Sequence, residues 1–371
     1  MSGRWSSVPL GDVVELKRGY DLPRKDREDG PYPVYSSSGI SGCHCMPAVE
    51  GPCVITGRYG TIGEVYFSPG ACWPLNTSLF ATDFKGNSPR FVYYLLKNFP
   101  WQEFATASAV PGINRNHING YLVNIPDFST QQAIASVLGA LDDKIALNTR
   151  KNVCLEQLAR TLFEEWLSEA QTELLPLCEV AETNPETYSP REGWPVVQYL
   201  DTGAVTSNLF DTPVTIDTSI EKLPSRARRK VKTGDVLYST VRPANRHYGL
   251  VINPPENLLV STGFCVVRDA CGLGGPFLYL LLTQDSITET LGNIAEQSTS
   301  AYPSIRPSDI ENLLVSIPNA NDVELLNNQL VCIFALIAKN HDESIELAAL
   351  RDALLPKLMS GEVDVSGVEL P

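Results

Sequence analysis

Histidine is scarce in this 371-residue sequence, and it contains neither a nucleotide-binding loop nor a long apolar run. No Ser-His-Asp arrangement can be argued from the positions of its four histidines. Because the G-x-x-x-x-G-K-[ST] loop is missing, we do not expect this chain to hydrolyse ATP. The longest strongly apolar run, 330–338, is too short to span a bilayer, so we expect no membrane partner.

Cysteine is present, but without the spacing of a metal site. The nine cysteines are irregularly spaced, and the group formed by Cys43, His44, Cys45, Cys53 and Cys72 has no C-x-x-C pair. Zinc is therefore a weaker interpretation than buried or half-buried thiols, and we predict no metal. Residues 1–4 show no charged-then-apolar leader, and with free thiols this predicts a cytoplasmic protein.

One segment, Asn253-Pro254-Pro255-Glu256, is similar to the Asn-Pro-Pro-aromatic motif of amino-methyltransferases. In that motif the aromatic residue stacks on a flipped base, and here Glu256 takes its place. No convincing glycine-rich cofactor loop follows an early strand. We therefore interpret the segment as a turn, and we predict no catalytic residues and no cofactor in this chain.

Acidic side chains predominate, and the formal net charge of −14 at first argues against nucleic acid. The excess is unevenly distributed along the chain. Residues 1–127 carry 11 basic and 11 acidic side chains, whereas 128–175 and 320–371 together carry 7 basic and 16 acidic ones. Most of the negative charge therefore lies outside the two segments that are predicted to be globular.

An internal repeat organises the sequence. Residues 108–113 (SAVPGI) return as 300–305 (SAYPSI), and 118–126 (INGYLVNIP) return as 310–318 (IENLLVSIP) at the same offset. Each copy follows short β-type runs and a helical run. The predicted strands are 33–35, 53–55, 64–67, 78–80, 231–239 and 263–267, and the predicted helices are 91–99 and 277–283. The duplication predicts two similar units related by a pseudo-twofold axis, which suits a two-part target such as duplex DNA.

A 4-3-4-3 spacing of mainly apolar residues follows each copy and predicts two long helices with an a/d seam. We expect the helices to pair antiparallel with Asn148 near Asn340, because a polar seam residue fixes register. The alternative is that each helix packs on its own domain. Pro356 is expected to kink or end the second helix. The predicted pairing residues are Ile134, Leu138, Leu141, Ile145, Asn148, Asn152, Leu155, Leu326, Leu330, Ile333, Ile337, Asn340, Leu347 and Leu354.

Together these features resemble the specificity (S) subunits of type I restriction-modification systems. The order of two units and two helices matches, and the segments 162–166 (LFEEW) and 354–362 (LLPKLMSGE) are similar to segments typical of that family. The expected fold class is α/β or α+β, with two similar sheet-based target-recognition domains separated by two long antiparallel coiled-coil helices. The expected domains are 1–127 and 173–318, with helical spacers in 128–172 and 319–371.

The resemblance implies a non-catalytic reader of double-stranded DNA. Each recognition domain would read one half of a bipartite, interrupted site. The paired helices would set the gap and dock two methyltransferase (M) subunits, and restriction (R) subunits would join the full complex. The methyl donor, ATP and Mg²⁺ would bind those partners. The predicted seam is about 48 Å long, and one turn of DNA is about 34 Å long. A rigid spacer of this length would hold the two units more than one DNA turn apart.

Basic residues concentrate in the second repeat, where they predict DNA contact rather than only a solvated face. Arginine can neutralise a phosphate or bind guanine through two hydrogen bonds, and the sequence does not separate these roles. Asp235 is the only acid in the stretch that holds most of these residues. The candidates are Arg226, Arg228, Arg229, Lys230, Lys232, Arg242 and Arg246.

The first repeat offers a serine-rich turn and a glycine-rich loop, 57–63, whose alternative interpretation is a plain hairpin turn. The loop of the repeated segment adds residue types that read adenine and guanine edges, although it could merely precede the next strand. The candidates in these three places are Ser36, Ser37, Ser38, Arg58, Tyr59, Asn114, Arg115, Asn116, Tyr302 and Arg306. The competing hypothesis is a duplicated protein-binding scaffold that does not contact DNA.

Overall fold

The computed structural model describes residues 5–104, 112–297, 303–318, 320–365 and 367–368. The chain forms two compact units, of which unit 1 comprises residues 1–147 and 343–371 and unit 2 comprises residues 148–342. Unit 1 therefore takes its sequence from both ends of the chain. The predicted site residue Tyr302 lies outside the described residues, as do 108–111 and 300–301 of the repeat.

The described part of unit 1 is built on a four-stranded antiparallel sheet with the order β2-β8-β5-β6. A second sheet has the order β4-β3-β7, and β1 pairs with β9. Its elements are β1 (Ser6–Pro9), β2 (Glu15–Arg18), β3 (Tyr32–Ser36), β4 (Gly39–His44), β5 (Cys53–Gly57), β6 (Val65–Ser68), β7 (Trp73–Pro74), β8 (Ser78–Asp83), α1 (Pro89–Lys97), α2 (Arg115–Ile118) and β9 (Leu122–Ile125).

Helix α1 shows how local sequence and packing agree in unit 1. Ser88 caps its first turn by accepting a hydrogen bond from the backbone N–H of Phe91, and Pro89 suits the first helical position. Phe91, Leu95 and the other apolar residues of one face are buried in the unit 1 core. Burial of such a side chain contributes about 1.5–3 kcal/mol, which anchors the helix on the sheet.

A 42-residue helix, α3 (Phe128–Glu169), follows and precedes the strands of unit 2. The later elements are β10 (Thr172–Pro176), β11 (Ala181–Thr183), β12 (Val196–Leu200), β13 (Val205–Thr206), β14 (Leu209–Phe210), β15 (Val214–Asp217), β16 (Ala227–Lys230), β17 (Val236–Ser239), β18 (Tyr248–Leu250), β19 (Leu258–Ser261), β20 (Phe264–Asp269), α4 (Gly275–Leu282), α5 (Asp285–Glu296), α6 (Pro307–Glu311), β21 (Leu314–Pro318) and α7 (Ala320–Ser360).

Unit 2 repeats the topology of unit 1. The sheet β11-β20-β17-β18 has the same order as β2-β8-β5-β6, and β10 pairs with β21 as β1 pairs with β9. The second sheet of unit 2, β15-β12-β19-β16, corresponds to β4-β3-β7, because β12 pairs antiparallel with β15 and parallel with β19 as β3 pairs with β4 and β7; it adds the basic strand β16. The expected internal repeat and the mixed helix-and-sheet fold class are therefore confirmed.

The helices α3 and α7 pack antiparallel within each unit. In unit 1, Lys144 pairs with Glu343 at 3.1 Å and Asp142 pairs with Arg351 at 2.7 Å. In unit 2, the Asn148 amide donates to the Asn340 carbonyl at 3.3 Å, as expected from the sequence. The Asn340 amide also donates to the Asn152 side-chain oxygen at 2.8 Å. All the predicted pairing residues are buried or half-buried.

Two details differ from the sequence-based expectation. The predicted strand 231–239 begins only at Val236, because a turn with Gly234 at φ 93° precedes it. Pro356 does not end α7, which continues to Ser360. In the described part of the chain, no helix is long and apolar enough to cross a membrane.

Candidate nucleic-acid interface

Three predicted segments of unit 1 meet at one end of its main sheet. The backbone N–H groups of Arg58 and Tyr59 donate to the carbonyl of Thr77 at 2.9 and 3.2 Å. The N–H of Ser37 donates to the Thr77 hydroxyl at 3.3 Å, and the N–H of Ile113 donates to the carbonyl of Arg58 at 2.9 Å. The serine turn, the glycine-rich loop and the segment 114–116 are therefore neighbours.

A cavity of about 520 Å³ lies at this end, and none of its described lining residues is acidic. We call its polar lining the basic cleft, formed by Lys17, Arg18, Arg58, Tyr59, Asn114 and Arg115. The Arg58 guanidinium lies 4.6 Å from the centre of the Tyr59 ring, and Arg115 donates to the Leu16 carbonyl at 3.2 Å. These contacts orient two cations while leaving further donors for a ligand.

The small polar residues around the basic cleft also shape its backbone. The Ser36 hydroxyl lies 3.1 Å from that of Ser38 and donates to the Gly39 carbonyl at 3.0 Å. The Asn114 side chain accepts a hydrogen bond from the backbone of Asn116 at 3.1 Å. The loop 57–63 connects the antiparallel strands β5 and β6, so it is a hairpin connection as well as a cleft wall.

Three arginines meet at one end of unit 2, at the turn between β19 and β20. Thr262 donates through its backbone to the Arg226 carbonyl at 2.9 Å, and Thr240 donates to the Gly263 carbonyl at 2.8 Å. The N–H of Ile305 donates to the Thr240 carbonyl at 2.9 Å, which places the following residue, Arg306, at the same end of the unit. We call these exposed residues the arginine face: Arg226, Arg242 and Arg306.

Two lysines of the predicted basic stretch have acidic partners from earlier in the chain. Lys230 pairs with Glu192 and lies 5.1 Å from the centre of the Trp194 ring. Lys232 pairs with Glu186, whose pKa is lowered to about 2 by hydrogen bonds from Lys232 and Arg268. The net positive charge of the basic stretch around β16 is therefore lower than its sequence indicates.

The other candidates of unit 2 take part in local contacts. Arg228 donates to the Ser225 carbonyl and Arg229 to the Thr187 hydroxyl, each at 3.3 Å. Arg246 pairs with Asp285 at 2.8 Å. The acid inside the basic stretch, Asp235, is buried and binds Arg268 through both carboxylate oxygens at 2.7 Å. It therefore stabilises the fold rather than opposing the arginine face.

Comparison with known proteins agrees with this arrangement of two similar units. The family model of the type I restriction modification DNA specificity domain matches residues 3–157. The HindI specificity subunit of Haemophilus influenzae is 35% identical over 128 residues, which are 34% of this chain and 27% of that protein. The MjaIX specificity subunit of Methanocaldococcus jannaschii is 23% identical over 97% of this chain and 90% of its own. The chain is therefore similar to type I specificity subunits: the family model matches its first part, and the MjaIX subunit matches nearly all of it at low identity.

The fold of this chain has been seen before. The crystal structure of the type I restriction-modification S subunit from M. genitalium covers 96% of this chain and 96% of its own, with a TM-score of 0.62. Identity is only 15%, so the likeness concerns the fold. Similarity to the HindI subunit spans about a quarter of that protein's length, at 27%.

Two cations of the basic cleft were missed by the sequence interpretation. Lys17 and Arg18 are exposed at the end of the edge strand β2. Arg18 lies 3.8 Å from Asp21, a long and exposed pair that compensates its charge weakly. The adjacent Lys-Arg pair before Gly19 was the available signal. Its significance depends on strand order, which brings β2 beside β8 and the cleft.

A different surface of the chain lies on the helices of unit 2. Cys154 and Leu158 of α3 are exposed, as are Leu325, Cys332 and Leu336 of α7. An α-helix turns by 100° per residue, so the direction of each side chain around the helix axis follows from its position. In both helices these positions lie about 100° around the axis from the seam, and the rotation from the seam has the same direction in both. Because the helices are antiparallel, the residues face one side of the pair. We call them the apolar stripe.

Within the described ranges, no group of three or more His, Cys, Asp or Glu residues could hold a metal ion. All nine cysteines are free thiols.

Proposed function

We propose that this chain is the DNA sequence-specificity subunit of a type I restriction-modification complex. Each unit reads one half of a bipartite, interrupted duplex site. The observation that carries the proposal is the convergence of cations in the basic cleft, where Lys17, Arg18, Arg58 and Arg115 line one cavity. Phosphates attract such a cluster, and neighbouring side chains that reach base edges supply sequence preference.

The net charge of −14 does not oppose this role, because association depends on the local field. The arginine face supplies a corresponding positive surface in unit 2. The acidic residues concentrate in the segments that form α3 and α7, which suits protein docking better than phosphate contact.

The paired helices set the gap between the half-sites and dock two methyltransferase subunits, with restriction subunits joining the full complex. The apolar stripe supports docking, since Leu158 is 48% exposed and Leu336 is 45% exposed. A protein surface would bury these side chains and gain roughly 25 cal/mol per Å² of apolar area. The chain itself is non-catalytic and holds no cofactor. The methyl donor, ATP and Mg²⁺ bind the partners, and the complex is cytoplasmic.

The deciding experiment uses the chain copurified with a candidate methyltransferase subunit. The complex is bound to a random duplex library at fixed salt, and the retained sequences are determined. We expect two short motifs at a constant gap. A stable complex that enriches no sequence would instead support the alternative, a duplicated protein-binding scaffold without DNA contact.

The docking surface is tested separately with the double variant L158D/L336D. We expect loss of copurification with the methyltransferase subunit, because carboxylates oppose burial of the apolar stripe. Val153 is 54% exposed on the same helix but points to the other flank, so V153D is the matched control and should leave copurification intact. Equal behaviour of the two variants would contradict docking at this stripe.

A further inference from the structure

Equivalent loops of the two units differ at one position in a way that bears on base recognition. In unit 1, Tyr59 forms a β-bridge with Gly112, and in unit 2 Val241 forms one with Ser304. The backbone hydrogen bond from Ile113 to Arg58 has its counterpart from Ile305 to Thr240, both at 2.9 Å. Gly60 follows the bridged Tyr59, and Arg242 follows the bridged Val241. The two residues therefore occupy equivalent positions in the two loops.

The two paired residues share a left-handed backbone conformation. Gly60 has φ 78° and Arg242 has φ 47°. Glycine adopts this region without a steric penalty, whereas the β-carbon of arginine is crowded there. Residues held in such conformations cluster at ligand sites, where the surrounding structure enforces them.

The surroundings of Arg242 enforce its backbone from both sides. Its N–H donates to the carbonyl of Pro303 at 2.9 Å, and its carbonyl accepts from Asn245 at 2.9 Å. The following Pro243 is buried, and Arg246 ties the same loop to α5 through Asp285 at 2.8 Å. The Arg242 side chain is nevertheless exposed, so a rigid stem presents its guanidinium at the arginine face.

We infer that Arg242 is a specificity-determining residue of unit 2 that reads a guanine in its half-site. This inference rests on the proposed DNA-reading function and deepens it. A guanidinium can donate two parallel hydrogen bonds to the O6 and N7 atoms of guanine, and a fixed stem favours such bidentate geometry. Unit 1 carries its cation two positions earlier, at Arg58, stacked on Tyr59. Equivalent loops thus present arginine from different positions, which suits half-sites of different sequence.

The test compares wild type, R242G and K85G, each copurified with the methyltransferase subunit and bound to the random duplex library. Glycine already occupies the equivalent position 60, so R242G removes the guanidinium while keeping the backbone conformation. Lys85 is the matched control because it is also basic, exposed and left-handed at φ 50°, but follows the opposite end of β8. A thermal unfolding curve of each variant confirms that it is folded.

We expect R242G to lose preference at one G·C position of one half-site by roughly 5- to 150-fold. The other half-site and the gap should not change, and K85G should retain every preference. The inference is overturned if R242G keeps all base preferences, or if it weakens all sequences equally as a phosphate contact would. If the wild-type complex enriches no motif, the proposed function itself fails. Enrichment by wild type with an unchanged R242G profile removes only this inference.

Discussion

The carboxylate of Glu186 links two cations of unit 2, and its protonation provides a test at the scale of single residues. Lys232 and Arg268 lower its pKa to about 2, below the usual value of 4.5. A depressed folded-state pKa means that the ionised form stabilises the fold above about pH 4.5, and that this contribution disappears as the pH falls towards 2. We expect E186Q to be less stable at pH 7 by about 1 kcal/mol, given partial exposure.

Denaturant unfolding of wild type and E186Q at several pH values measures this difference, which should shrink below about pH 4.5 and vanish near pH 2. Glu256 forms no ion pair in the described part of unit 2, so E256Q is the control and should follow wild type. A deficit that stays constant from pH 7 to pH 3 would contradict the ion-pair explanation.

Lys17 and Arg18 permit a second test at this scale. Both line the basic cleft, so we expect K17A/R18A to weaken DNA binding of the complex across sequences. The slope of log affinity against log salt should fall by roughly 0.9 for each phosphate that the variant no longer neutralises. Lys25 is an exposed cation outside the cleft, and K25A should keep the slope of wild type. An unchanged slope in K17A/R18A would remove both residues from the interface.

The paired helices α3 and α7 show which features a sequence pattern predicts well, and the region before β17 shows which features it does not predict. The 4-3-4-3 spacing identified the buried face and placed Asn148 beside Asn340, because heptad geometry is local and periodic. The strand expected at 231–239 begins only at Val236, after a turn at Gly234 where Asp235 binds Arg268, a partner 33 residues away. The ion pairs that occupy Lys230 and Lys232 arise in the same way, from Glu192 and Glu186. No local pattern specifies such distant partners.

Asn340 is the element-scale test of the seam. Its amide donates to the Asn152 side-chain oxygen at 2.8 Å, and its carbonyl accepts from Asn148. Because N340A leaves a half-buried acceptor unpaired, we expect a loss of about 1–3 kcal/mol in the free energy of unfolding. Asn328 is exposed on the same helix, so N328A should change stability by no more than about 0.5 kcal/mol. Chemical denaturation compares the two, and equal stabilities would contradict a structural role for the seam asparagine.

At the scale of the whole molecule, unit 1 depends on both ends of the chain. Leu355, Leu358, Met359 and Val365 are buried in the core formed by residues of the N-terminal segment. Each contributes about 1.5–3 kcal/mol, and their sum is comparable with the total stability of a domain, about 5–15 kcal/mol. Deletion of residues 343–371 should therefore unfold unit 1, whereas the core of unit 2 contains none of these residues.

Hydrogen exchange read by mass spectrometry separates the two units along the sequence. In the deletion variant we expect β5 and β8 of unit 1 to lose protection and β17 and β20 of unit 2 to keep theirs. A chain that ends at residue 365 retains all four buried side chains and should protect both units. Protection of β5 and β8 in the deletion variant would mean that the N-terminal segment folds without the C-terminal helix. The packing of both chain ends into unit 1 would then be a favourable contact rather than a requirement for its fold.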